Sequence, residues 1–212
     1  MFSRVIKFSL SKALLIVFIA HISSVTAKEP VVLVIGDSIS AGFGMPLQEG
    51  WVALMESELQ QNHAKISVIN ASISGDTTQG GLTRLPNLLT EHQPTLTIIE
   101  LGGNDGLRGT PIRIIKNNLK QMTLLAQEAN SKVLLLGMQI PPNYGHRYTE
   151  MFRTLYTELA TELKVPLVPF LLDGVAEHEE LMQADGIHPT AQAQPIMLKH
   201  VLPSVESVLA DE

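Results

Sequence analysis

The 212-residue sequence contains no cysteine. That absence excludes disulfides, thiol nucleophiles, CxxC zinc sites and lipid attachment through an N-terminal cysteine. Positive charge is scarce too, with 15 Lys and Arg against 21 Asp and Glu, a net charge of −6. A nucleic-acid binder needs a basic face to displace counterions from phosphates, so that class is set aside. Only 17% of residues are charged whereas 45% are hydrophobic, which excludes a disordered chain and supplies enough apolar surface for a core. The apolar stretch nearest the N-terminus, Ala13–Ile22, falls well below the roughly 20 residues that span a bilayer. Stable membrane insertion is therefore not expected. No HExxH cluster and no GxxxxGK phosphate loop occur, so neither a metal nor a nucleotide cofactor is expected. No repeat, low-complexity tract or linker divides the chain.

Arg4, Lys7 and Lys12 accompany the short apolar stretch, which is followed by a polar segment ending in Val25-Thr26-Ala27. This is the pattern of a cleaved secretory signal. Cleavage after Ala27 leaves 12 basic against 21 acidic side chains, a net charge of −9. The expected organisation is a signal peptide over 1–27 and a single domain over 28–212. The mature protein is expected to be acidic, soluble and monomeric, residing in the periplasm or outside the cell. A chain without thiols suits such an oxidising compartment.

Five apolar runs recur: Val31–Gly36, Ile66–Asn70, Leu96–Leu101, Val133–Gly137 and Pro166–Phe170. Most of them lack polar alternation, as expected of strands buried on both faces of a parallel sheet. Helical stretches fall between them, over Trp51–Gln61, Thr78–Leu89, Pro111–Ala129 and Arg147–Leu163, with a last helix within Ala191–Leu209. This alternation predicts an α/β fold: a three-layer, doubly wound (flavodoxin-like) sandwich of about five parallel strands with helices on both faces.

Ligands of such sheets bind at the carboxyl ends of the strands, and the residues there carry chemistry. Ser38 follows the first run, where a hydroxyl can project beside backbone N–H groups. Serine needs a base to become a nucleophile, and His188 is a suitable one. Asp185 lies three residues earlier, where its carboxylate can fold back onto the second ring nitrogen and fix the tautomer. The N–H of Ser38, the N–H of Gly75 and the side-chain amide of Asn104 come from neighbouring strand ends and can serve a developing oxyanion. Taken singly each feature is ordinary: serine caps helices, and Asp and Asn favour turns. Their joint occurrence at successive strand ends points to acyl transfer. The G-x-S-x-G signature is absent at Ser38, which disfavours the larger α/β-hydrolase fold.

The stretches GDSIS (Gly36–Ser40), SISGD around Gly75, GGND (Gly102–Asp105) and DGIHP (Asp185–Pro189) resemble the four blocks of the SGNH, or GDSL-type, hydrolases. The resemblance covers almost the whole mature chain. It is closest to the exported bacterial thioesterase and lysophospholipase subgroup, supported by LGGNDGLRG (Leu101–Gly109) and NYG (Asn143–Gly145). The resemblance implies Ser38 as nucleophile, His188 as base and Asp185 as its orienting partner. It also implies an oxyanion hole of Ser38, Gly75 and Asn104. The implied substrates are acyl esters and thioesters, including aryl esters, acyl-CoA-type thioesters and lysophospholipids. An acyl groove is expected along Asp105, Gly106, Leu107, Pro141 and Tyr144, with Gly106 and Gly109 letting the first loop move. Asp37 and Asp76 are expected to be turn or supporting hydrogen-bond groups. Two rivals remain: a carbohydrate O-deacetylase with a short polar pocket, and a non-catalytic flavodoxin-like binding module.

Overall fold

The computed structural model describes residue 1 and residues 29–62 and 65–210. Apart from Met1, the expected signal peptide lies outside the described residues. Five strands form one parallel sheet: β1 (Val31–Gly36), β2 (Ser67–Asn70), β3 (Leu96–Glu100), β4 (Lys132–Leu136) and β5 (Leu167–Val168). Their spatial order is β2-β1-β3-β4-β5. Every residue of β3 is buried, as is all of β1 and β4 beyond the first residue of each. Continuous apolar runs are what strands covered on both faces require. Leu33, Val34, Ile98, Leu134 and Leu135 fill the centre of this core.

Helix α1 (Trp51–Asn62) packs against the last helix, α6 (Gln194–Ala210), on one face of the sheet. On the other face α2 (Thr78–His92), α4 (Ile112–Glu128) and α5 (His146–Leu163) lie side by side. The expected three layers are therefore present. Among the described residues, no helix is long and apolar enough to cross a membrane.

Three details depart from the sequence-based expectation. Pairing in the fifth run is confined to Leu167 and Val168, because Pro166 and Pro169 on either side have no N–H to give a ladder. Pro111 precedes its helix instead of opening it, and its carbonyl accepts the N–H of Ile114 at 2.8 Å. The segment after β3 is not all loop. It forms a short helix, α3 (Gly103–Leu107), before the chain turns at Arg108.

In a 2-1-3-4-5 sheet, connections leave in opposite directions from β1 and β3, opening a crevice at their carboxyl ends. Ser38 follows one of those strands and Asn104 the other. Topology alone puts them side by side.

Candidate active site

The chain turns sharply after β1, with the Ala41 N–H donating to the Asp37 carbonyl at 2.9 Å and the Phe43 N–H to the Ser38 carbonyl at 3.0 Å. The Ser38 Oγ so displayed lies 2.8 Å from His188 Nε2. His188 Nδ1 lies 2.6 Å from Asp185 Oδ2. The loop bearing these two residues is organised by Asp185 itself, whose Oδ1 accepts the N–H groups of Ile187 at 2.9 Å and His188 at 3.0 Å. Short Asx turns of this kind favour Asp at the first position. Those contacts carry an electrostatic consequence. The His188 N–H, the His188 ring and the Ile187 N–H hold the Asp185 carboxyl down at about 2, so it stays a carboxylate beside the ring.

The floor beneath Ser38 is polar and closed. Asp37 accepts the Ile39 N–H on Oδ1 and the Asn104 side-chain amide on Oδ2, both at 3.0 Å. Glu100, at the end of β3, accepts the Asp37 N–H at 3.2 Å and the Ser40 hydroxyl at 2.7 Å on one oxygen. Its other oxygen is buried with no hydrogen-bond partner. Burial pushes the Asp37 carboxyl up to about 6, against the lowering pull of the Ile39 and Asn104 donors. Burial, reinforced by the charge of Asp37, pushes Glu100 well above the usual carboxylate range. Desolvation thus favours the uncharged form of Glu100, and one of its oxygens has no hydrogen-bond partner to offset the burial of charge.

Ser38, Asn104 and His188 line one cavity of about 480 Å³. Its remaining wall is largely apolar, from Leu107, Met138, Ile140, Pro141, Phe170 and Leu172. Asn104 gives one hydrogen of its amide to Asp37, which leaves the second for a ligand. No acceptor among the described residues takes the N–H of Ser38 or of Gly75. Gly75 is exposed and is not among the residues lining the cavity, and its carbonyl accepts from Arg108 at 3.1 Å.

Of the five residues expected to form the acyl groove, Leu107 and Pro141 do line the cavity. Asp105, Gly106 and Tyr144 do not, and each for a physical reason. The carboxylate of Asp105 is buried and taken up by the N–H and hydroxyl of Thr78, at 2.8 and 2.7 Å. Gly106 lies within α3, where a Cβ would come within 2.7 Å of Ile140 and 2.8 Å of Phe152. It permits this close packing within the helix. Tyr144 ends a short 3-10 turn that carries it past the cavity wall into a separate hollow with Tyr148 and Met151. Asp76 pairs with Arg84 at 2.8 Å, and the Arg84 guanidinium also donates to the Ala71 carbonyl. Asp37 and Asp76 thus both make hydrogen bonds that tie the loops around Ser38 together.

Sequence reasoning did not single out Glu100, Arg84, Phe43 or Gln183, all of which brace these loops. Only Glu100 carried a signal, as an acid closing an otherwise apolar strand. Among the described residues, no three His, Cys, Asp or Glu side chains converge to hold a metal ion.

The profile of the GDSL-like lipase/acylhydrolase family matches residues 34–195. Esterase TesA of Pseudomonas aeruginosa is 50% identical over 183 residues, 86% of this chain and 91% of the relative. Thioesterase 1/protease 1/lysophospholipase L1 of Escherichia coli K12 is 44% identical over 180 residues, 85% of each chain. The psychrotrophic esterase EstA from Pseudoalteromonas, in a structure inhibited by monoethylphosphonate, superposes with a TM-score of 0.81 at 39% identity. That match covers 85% of this chain and 99% of the other. The described chain, with its serine, histidine and aspartate in series at the switch point of the sheet, belongs to the GDSL-like lipase/acylhydrolase family.

Proposed function

We propose that the protein is a serine esterase and thioesterase that works through an acyl-enzyme on Ser38. The observation that carries this reading is the unbroken series Ser38 Oγ, His188 and Asp185, at 2.8 and 2.6 Å, opening onto an apolar cavity.

The hydroxyl oxygen of Ser38 attacks the acyl carbonyl carbon while its proton passes to His188 Nε2. The carbonyl electron pair moves onto oxygen, which the Ser38 and Gly75 N–H groups and the free amide hydrogen of Asn104 stabilise. Collapse expels the alcohol or thiol, which takes the proton from His188. Water then attacks the Ser38 ester while its proton passes to His188; the bond between the acyl carbon and Ser38 Oγ breaks, His188 returns the proton to Oγ, and the acid leaves. Asp185 keeps its charge throughout and stabilises each transient imidazolium.

The cavity wall supports acyl chains longer than acetyl. Side chains such as Leu107, Ile140, Phe170 and Leu172 gain from burying methylenes. The named activities of the relatives, on esters, thioesters and lysophospholipids, favour the same class. Export to the periplasm, after cleavage following Ala27, completes the reading. A series of p-nitrophenyl esters from acetyl to dodecanoyl tests it: kcat/KM rises beyond acetyl, and a fluorophosphonate labels Ser38. A maximum at acetyl, or labelling elsewhere, overturns it. Purified periplasmic protein is expected to begin at Lys28.

A further inference from the structure

Phe43 touches both halves of the proposed proton relay, and no step above uses it. Its N–H donates to the carbonyl of Ser38 at 3.0 Å. Its carbonyl accepts from Gln183 Nε2 at 2.8 Å. Its ring lies against the imidazole of His188, with centroids 4.4 Å apart and planes inclined by 35°. Gln183 in turn reaches the other loop. The same Nε2 donates to the Pro189 carbonyl at 3.0 Å, and the Gln183 N–H donates to the His188 carbonyl at 2.7 Å. One amide side chain thus staples the turn bearing the nucleophile to the loop bearing the base, across 140 residues of sequence.

The turn is shaped to allow this. Gly44 adopts φ +76°, and a Cβ there would stand 2.4 Å from Gln183 Oε1. A side chain would suffer from both the backbone angle and the contact. Phe43 itself is 47% exposed. A ring left half in water gains little from burial, so its placement over an imidazole calls for another account.

We propose that Phe43, held by Gln183, is a positioning residue for His188: it confines the imidazole to the orientation that reaches Ser38 and supports the positive charge the ring acquires. The proposal rests on the reading of Ser38 and His188 as nucleophile and base. The face of an aromatic ring is electron-rich and attracts a cation within about 6 Å. The imidazole takes on positive charge as it accepts the Ser38 proton, so the attraction strengthens as the transition state forms. An interaction of that kind appears in kcat and not in KM.

The test compares Phe43→Leu, which keeps apolar bulk and removes the π face, with Phe43→Tyr, which keeps both. The assay is p-nitrophenyl acetate, whose acyl group is too short to need the cavity wall. Phe43→Leu is expected to lose about three- to ten-fold in kcat with KM within two-fold, the scale of an exposed to half-desolvated cation–π contact. Phe43→Tyr restores kcat. Gln183→Leu lowers kcat in the same direction, and adding Phe43→Leu to it costs less than in the wild type, as for two residues acting on one group. Wild-type kcat in Phe43→Leu, a loss carried by KM alone, or failure of Phe43→Tyr to rescue overturns the proposal. Should Phe43→Leu not fold, wild-type kcat in Gln183→Leu does so. Ser38→Ala, assayed alongside, separates the two readings. Activity surviving in Ser38→Ala defeats the nucleophile assignment, whereas an inactive Ser38→Ala beside an unimpaired Phe43→Leu defeats only the role of Phe43.

Discussion

Two carboxyl-bearing regions meet at Ser38 and are built in opposite ways. Below Ser38, Asp37 and Glu100 are 2% and 0% exposed, and burial raises both. Across the cavity, Asp185 sits in an exposed loop with three donors on its two oxygens, and it is held at about 2. The chemical group is the same in both places. What differs is the supply of water and of N–H groups. Asp37 also receives two hydrogen bonds, yet burial outweighs them. The carboxylate beside the imidazole of His188 is thus left in reach of solvent and surrounded with donors. A carboxyl that holds a turn is enclosed, and burial shifts its titration upward.

Experiments can break this contrast at either end. The largest effect is expected at the point both regions serve: Ser38→Ala should lower kcat by about 10⁴-fold or more with the fold retained. Substantial turnover in the purified, folded variant would reject it. On the exposed side, Asp185→Asn should cost on the order of 10²–10⁴ in kcat. The amide can still accept from the backbone but no longer balances an imidazolium. Activity equal to wild type at neutral pH would remove Asp185 from the relay. On the buried side, Asn104→Ala and Asn104→Gly should each cost about 10²–10³ in kcat, because neither offers an amide to the oxyanion. A folded Asn104→Gly with near-normal kcat would leave the hole to backbone groups alone.

The smaller effects are in stability, and their signs oppose. The folded value of Asp37 stands above its unfolded one. Between about pH 4 and pH 6 the native state keeps a proton that the unfolded chain has released. The contribution of Asp37 is therefore full below about pH 4 and is lost as pH rises through 6, by on the order of 2–3 kcal/mol. Urea denaturation from pH 4 to 7 should show this fall in the wild type and a flatter profile in Asp37→Asn. Identical slopes would show that Asp37 does not titrate there. Asp185 is depressed, so its contribution is present above about pH 4 and is lost as pH falls toward 2. That effect should be the smallest, because the side chain is well exposed and screened. Asp185→Asn should remove it from an acid-denaturation curve, and an unchanged acid limb would contradict the donor count around the carboxylate.

What could be read from the sequence follows how local each feature is. Most of the strands showed because buried parallel strands are written as apolar runs, although β2 is only half-buried and carries Ser67 and Asn70. Asp185 and His188 were legible because one turn of chain holds both. Ser38 and Asn104 were legible because a parallel sheet brings strand ends together. Asp105 and Gly106 were misread as groove residues. Once α3 forms, successive side chains rotate by about 100°, so Leu107 reaches the cavity while its two predecessors face inward. Glu100, Phe43 and Gln183 act through side chain-to-backbone bonds spanning 63 residues between Glu100 and Asp37 and 140 between Gln183 and Phe43. Such bonds leave no spacing or periodicity behind.

The two-residue pairing of β5 has a consequence away from catalysis. An outer strand presents unpaired amides and carbonyls that can recruit a strand from another molecule. Here Pro166 and Pro169 bracket Leu167 and Val168, so the stretch is too short, and too poor in donors, to template an intermolecular ladder. The same prolines that shorten the sheet therefore leave that edge a poor template for pairing with another strand.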